Sequence, residues 1–439
     1  MEKMEKKVEY ALCVTSKELQ NAIKRVSIGK GKPDSFTLTI TSEKNEGKNR
    51  CTLLSGSNTS FQAVTKFYAD LRIYKTKDDG IQELTGEILK HSFSVTMSGI
   101  FSDVVTTFAA IEDLIFLAVS DNLVTATNTI SQVPIPVKSN DISFINSDCN
   151  KFEITLKREA LASVLKYNSL AVSSSSIYKN NYGLKPVYQD EKASVNIVSM
   201  VGTEVVSSTV NAIKVSNSEY PTLCEGISFA MVDAAKIDQI LAVTETEKIA
   251  LVFYYKEGDS GKEVVQVNIK TTYSIYMMTT FVKTYPRGVN DMLKKGYDSP
   301  LYGFTLDPKM LVRTLPILEI GCSTELKKIE IHVFRDHIII CDEFALDKKN
   351  VNSKEFGRTN IKDVITMLPK DKEEEVFLMG LQQVMRSIKP YEKTLTIQFS
   401  ENLIVLNGTN EHVKHGISCC ENEKNEEKDE SDIDEGNMV

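Results

Sequence analysis

Six times along this chain, a short alternating apolar/polar stretch passes through a polar residue into about ten residues of helical periodicity and then back into alternating stretches. The openings read VTSKELQNAIKRV from Val14, VTMSGIFSDVVTTF from Val95, ITLKREALASVLKY from Ile154, FAMVDAAKIDQILAV from Phe229, FTLDPKMLVRTLPIL from Phe304 and VFLMGLQQVMRSI from Val376. In the first, Leu19, Ala22, Ile23 and Val26 keep the i, i+3, i+4, i+7 spacing of a helix with one buried face. Ser16 stands at the expected N-cap, and Glu18 lies in the first turn beside the positive end of the helix dipole. In the fifth, Asp307 is the expected cap and Pro308 takes the first helical position, where a missing N–H costs nothing.

Period-two runs follow the helices, as in Ser35–Ser42, Leu114–Ile130 and Lys328–Phe344. Ser120-Asp121-Asn122 and Arg335-Asp336 interrupt the last two as hairpin turns. Such sheets have one face to bury, and the helices can cover it. The class is therefore α+β, built from strand-helix-strand units repeated in series. Paired in order, six units make three similar domains, at residues 1–138, 149–295 and 301–420. The joints fall near Ser131–Asp148, with Pro134 and Pro136, and near Lys283–Leu301, with Pro286 and Pro300.

Charge is distributed unevenly. The formal balance is -8, but Glu421–Val439 holds nine acidic residues against two lysines and almost nothing apolar. That segment, residues 421–439, reads as a disordered acidic tail, because it cannot bury enough surface to offset its ordering entropy. The rest is close to neutral, so local clustering decides what it attracts.

Aligning Leu19 with Phe101, Leu161, Ile237, Leu311 and Val384 places the outward helix faces at offsets -2, +2 and +5. Those positions carry Lys17, Lys24, Lys166, Lys309, Arg313, Arg386 and Lys389 against only Asp103 and Glu159. Basic residues on equivalent faces of repeated helices suit phosphate contact, which brings affinity without sequence readout. No helix gathers Arg, Asn and Gln for base edges, and no strand carries stacking aromatics. The expected partner is duplex DNA, bound without regard to sequence.

Composition bounds the rest. With 439 residues, 41% hydrophobic and 26% charged, the chain is an ordinary multidomain globular protein. Met1–Tyr10 is charged, and no apolar run reaches the roughly 18 to 20 residues of a membrane span, so a cytoplasmic location without membrane contact is expected. Eight cysteines lack CxxC or Cys/His ligand spacing, which points to neither disulfides nor metal. The five histidines form no nucleophile or HExxH motif; His332 and His337 read as strand residues flanking a turn. Gly29–Lys32 reads GKGK and follows a helix, so it is no P-loop. Neither catalysis nor a cofactor is expected.

The order of elements and several local phrases resemble a known family, the bacterial replicative sliding clamp, the β subunit of the DNA polymerase III holoenzyme. The phrases are TTFVKTYPRGVNDMLKK at Thr279–Lys295, PILEI at Pro316–Ile320 and SIGKGKPD at Ser27–Asp34. The resemblance implies a homodimeric ring with helices lining the hole and sheets outside, acting as a processivity factor that encircles duplex DNA. It also implies DNA contacts at Lys32, Tyr178, Lys179 and Tyr182, and interface anchors at Ile317 and Leu318. A pocket for short peptides from polymerase, clamp-loader and repair proteins would involve Leu184, Gly202, Thr203, Glu204, Val205, Pro286, Met292 and Ile417. Where the family has a basic loop this chain reads Val201-Gly202-Thr203-Glu204-Val205, and the family's Met/Pro-rich end is replaced by Gly416-Ile417-Ser418-Cys419, which implies either altered peptide specificity or a weak pocket. The alternative reading is a clamp-derived interaction scaffold that does not encircle DNA.

Overall fold

The computed structural model describes residues 8–28, 33–58, 61–77, 80–83, 92–119, 123–128, 130–138, 149–171, 181–189, 192–201, 204–216, 227–229, 231–258, 261–279, 288–321, 328–342, 358–401 and 403–418. Among them are seven helices: α1 (Ser16–Val26), α2 (Phe101–Ala109), α3 (Arg158–Asn168), α4 (Met231–Val243), α5 (Val289–Asp298), α6 (Pro308–Gly321) and α7 (Leu381–Ser387). All but α5 sit where the periodicity predicts them. None of the helices is long and apolar enough to cross a membrane.

The stripe of α1 is buried as expected, each large apolar side chain contributing roughly 1.5–3 kcal/mol through burial. Its cap is one residue earlier than the pattern suggests. Thr15 has extended dihedrals, and its hydroxyl accepts from the Glu18 N–H at 3.2 Å. Ser16 is already helical, and its buried hydroxyl donates to the Glu112 carbonyl at 2.6 Å. Strand-to-helix transitions put the cap at the last extended residue, and here that residue is Thr15. At α6 the expectation holds, with the Lys309 N–H donating to Asp307 Oδ1 at 2.9 Å.

Two further differences concern the joints. The segment with Pro134 and Pro136 is a strand, Gln132–Pro136, paired with Leu123–Thr127. Lys138 N–H points to the Thr96 carbonyl, so by alternation the ring nitrogens of Pro134 and Pro136 face away from the paired strand and remove no bond from that ladder. The second joint contains α5, opened at Gly288 and stabilised by burial of Val289 and Leu293. Proline and glycine around it masked the helical spacing.

Contacts divide the chain into two compact units, one formed from Met1–Ala162, Leu184–Val195 and Val210–Tyr285, the other from Ser163–Gly183, Asn196–Thr209 and Pro286–Val439. In the first, repeats exchange strands. Val8–Thr15 runs antiparallel to Leu114–Val119, and Ser35–Asn45 to Phe93–Ser98. The first strand of each repeat therefore pairs with the second strand of the other, and the two share one core, where Phe36 and Phe101 meet edge to face with centroids 5.7 Å apart. In the same unit Asn150–Lys157 pairs with Lys248–Gly258, and Phe61–Thr65 pairs with Ser274–Met278.

The second unit repeats the exchange. Tyr302–Leu306 pairs with Leu395–Phe399, and Lys328–Phe334 with Glu374–Gly380. The predicted hairpin at Arg335-Asp336 is present, closed by the Phe334 N–H donating to the His337 carbonyl at 2.9 Å. The one predicted at Ser120-Asp121-Asn122 lies outside the described residues. Glu204–Ser208 pairs with Val413–Ile417.

Candidate functional site

The second unit contains an open cleft of about 1330 Å³, floored by Met200, Val205 and Leu403 and rimmed by Asp291, Met292, Lys294, Lys295 and Leu301. Helix α5 forms one wall. It turns Val289 and Leu293 into the core and leaves Met292 41% exposed on the cleft side. Close approach of α5 to the C-terminal strands depends on two glycines. A Cβ at Gly296 would come within 2.7 Å of a Leu403 methyl, and one at Gly416 within 2.7 Å of a Leu293 methyl. The result is an apolar floor with both charge signs on its rim, suited to a short peptide with hydrophobic anchors.

Beneath this cleft is a buried polar network. Glu204 and His415 are both fully buried and stand diagonally on paired strands, where Val206 faces His415 and Glu204 faces Ile417. His415 Nε2 lies 2.8 Å from Glu204 Oε1, which also accepts from Ser387 Oγ at 2.6 Å, while the Arg386 guanidinium holds Oε2. Tyr391 Oη lies 3.1 Å from His415 Nδ1 and 3.2 Å from the Leu406 carbonyl. Burial pushes the Glu204 carboxyl up, but hydrogen bonds and charge from His415, Ser387 and Arg386 outweigh it and hold the group below its ordinary value. A second network surrounds Asn168 at the end of α3, whose amide reaches the Ile197 carbonyl and Ser199 hydroxyl and whose Oδ1 accepts from Ser208 at 2.6 Å.

The residues named for a peptide pocket divide accordingly. Val205 and Met292 line the cleft; Glu204 and Ile417 pair beneath it, buried; Leu184 is buried in the strand Asn181–Gln189 and belongs to the first unit. Gly202, Thr203 and Pro286 lie outside the described residues. The cleft also recruits Met200, Leu301, Leu403 and the α5 lysines, which the sequence reading missed. The alternation of Asn290, Asp291, Lys294 and Lys295 around Val289 and Leu293 was the available signal for the helix that carries them.

Of the basic helix positions, Lys17 and Lys24 on α1, Lys166 on α3, Lys309 and Arg313 on α6, and Lys389 just after α7 are exposed. Lys166 Nζ lies 3.8 Å from a Glu392 carboxylate, a weak exposed pair. Arg386 is only half-exposed and is committed to Glu204. Lys32, Tyr178 and Lys179 lie outside the described residues, as does the side chain of Tyr182. Of the two expected anchors, Ile317 is 67% exposed, whereas Leu318 is 2% exposed and belongs to the core of its own unit.

No family model and no curated protein matches the chain. Solved structures do. The β sliding clamp of Caulobacter crescentus superposes with a TM-score of 0.70 at 11% identity, covering 94% of this chain and 100% of that one. The Helicobacter pylori β clamp bound to a DNA ligase peptide gives 0.67 at 10% identity, and a Pseudomonas aeruginosa sliding clamp bound to griselimycin gives 0.69 at 10%, with the same coverages of 94% and 100%. The fold is that of the bacterial DNA polymerase III β sliding clamp, in a widely divergent sequence.

Proposed function

We propose that this chain is a DNA sliding clamp, a non-enzymatic processivity factor that closes into a homodimeric ring around duplex DNA. Its three clamp domains would be residues 1–138, 149–295 and 301–420. The observation that carries the reading is a strand junction made twice within the chain. Phe61–Thr65, in the last strand of the first repeat, pairs with Ser274–Met278, the last of the fourth; Glu204–Ser208, in the last of the third, pairs with Val413–Ile417 in the last of the sixth. The corresponding strands of the second and fifth repeats, Gln132–Pro136 and Arg358–Ile361, each form a ladder with one strand only among the described strands, the chain after the former adding a bridge from Val137 to Met97. A second copy, placed head to tail, supplies the missing partner for each of these two strands.

Helix α6 packs beside Arg358–Ile361 and presents Ile317 and Ile320 to solvent, apolar surface suited to that junction. The exposed lysines on α1, α3 and α6, with Arg313 on α6, then supply weak, screened phosphate contacts that permit sliding. The cleft beside α5 takes short peptides of polymerase and clamp-loader subunits, as the ligase peptide bound to the Helicobacter clamp suggests by analogy.

Sedimentation velocity and particle imaging test this directly. A dimer with a central hole wide enough for a duplex, retained on circular DNA and released when the circle is cut, is the expected result. A strict monomer at micromolar concentration with no retention on circular DNA overturns it.

A further inference from the structure

We propose that Glu330, His332 and Cys341 form a binding site for a divalent cation of zinc's class. The site lies on the sheet of the second unit, away from the cleft, and does not depend on the clamp reading. Glu330 and Cys341 are direct cross-strand partners, and His332 is two residues along on the same face. The carboxylate, imidazole and thiol donor atoms all lie within 4.8 Å of one another.

Burial sets this cluster apart from an ordinary polar sheet face. Ile329, Ile331, Val333, Ile338 and Ile340 fill the apolar core on one face. On the opposite face, where alternation places solvent-tolerant residues, His332 is 5% exposed and Cys341 is fully buried. Two groups able to bind a cation are thus withdrawn from water beside a third, Glu330, whose side chain is 13% exposed, which is costly unless something charged or hydrogen-bonded satisfies them.

The ring is also held in one orientation. His332 Nδ1 lies 2.6 Å from Glu374 Oε1 on the neighbouring strand, and Nε2 lies 3.2 Å from Glu330 Oε2. With Nδ1–H donating to Glu374, Nε2 faces Glu330 and Cys341 and offers them its lone pair once its own proton is lost, the carboxylate–histidine–metal arrangement in which an outer carboxylate fixes the tautomer.

The donor set selects the ion. Magnesium and calcium prefer all-oxygen shells, whereas one thiolate, one imidazole and one carboxylate suit tetrahedral zinc and leave a fourth corner for water. Bonds of roughly 2.0–2.3 Å require only a small inward adjustment of donors this close. Uptake displaces the Nε2 proton of His332 and the thiol proton of Cys341 into solvent, and their sites become metal bonds. The bound ion would tie the strand Lys328–Phe334 to Ile338–Asp342.

The test uses the full-length chain with zinc and with cobalt as a spectroscopic stand-in. The expected result is one equivalent of metal per chain, tetrahedral cobalt bands with a thiolate charge-transfer band, and movement of the His332 ring signals in NMR on adding zinc. Cys341→Ser should abolish the thiolate band, and His332→Gln and Glu330→Gln should each weaken binding. Glu374→Gln, which alters a partly exposed residue and keeps all three donors, should lower zinc affinity about 10- to 100-fold with an unchanged circular dichroism spectrum. If Cys341→Ser does not fold, the Glu374→Gln affinity and the His332 signals decide the matter. No metal uptake, a cobalt spectrum unchanged in folded Cys341→Ser, zinc affinity unaltered in Glu374→Gln, or His332 signals indifferent to zinc overturns the proposal in favour of a protonated histidine clamped between two carboxylates.

Discussion

Glu204 Oε1 and His415 Nε2 stand 2.8 Å apart with both side chains fully buried, joining strands whose residues lie 211 positions apart in sequence. Either group alone in that place would be an uncompensated buried charge or an unsatisfied polar group. Together with Ser387, Arg386 and Tyr391 they form a connected polar network between Glu204–Val215 and Val413–Ser418, in which Arg386 Nε alone is buried without a hydrogen-bond partner.

Removing one partner should therefore cost more than an average substitution. Glu204→Ala or His415→Ala is expected to destabilise the fold by about 3–5 kcal/mol, as breaking a buried pair does. Urea denaturation of the second unit's transition measures it, and a loss under about 1 kcal/mol contradicts the role given to the pair.

The pH dependence follows from the same carboxylate. Because the folded value of Glu204 lies below its ordinary 4.5, folding favours the ionised form. Its contribution is present above that ordinary value and disappears as pH falls through the lower folded value. Wild type minus Glu204→Gln stability should be flat near neutrality and shrink under acid conditions below about pH 4.5; a difference that grows in acid contradicts the assignment.

Charge reversal on the basic faces tests DNA contact, and the choice of residues matters. Reversing Arg386 would place a second carboxylate beside Glu204 and confound folding with binding. The exposed set Lys24→Glu, Arg313→Glu, Lys389→Glu avoids this. It should leave thermal stability nearly unchanged while reducing DNA retention severalfold and flattening its salt dependence, each lost phosphate contact lowering the slope by about one.

On α6, Ile317 and Leu318 should separate cleanly. Ile317→Asp combined with Ile320→Asp, at positions 67% and 89% exposed, is expected to shift a dimer to a folded monomer in sedimentation experiments. Leu318→Asp should instead unfold its unit, because a charge in that core has no partner.

In the cleft, Met292→Lys should weaken binding of a labelled polymerase-derived peptide about tenfold or more without altering stability, since its side chain is an exposed apolar contact on the α5 wall. Fluorescence anisotropy gives the answer, and an unchanged affinity removes Met292 from the proposed peptide site.

Much of this was legible along the chain because it is local. Helical stripes such as Leu19, Ala22, Ile23 and Val26 need only a few consecutive turns, and repetition of the unit made the class readable from periodicity. Helix α5 escaped because flanking Pro286, Gly288 and Pro300 read as a joint, although burial of Val289 and Leu293 more than offsets those breakers.

What the sequence determined by itself was the repeated unit, the helix faces and where their charge lies, because neighbours within a few residues set those. Strand exchange between repeats, the commitment of Arg386 to Glu204, burial of Leu318 beside exposed Ile317, and the meeting of His332, Glu330, Cys341 and Glu374 were decided only by the tertiary structure. Cross-strand register brings distant residues within ångströms, and no spacing along the chain encodes which distant strand will be the neighbour.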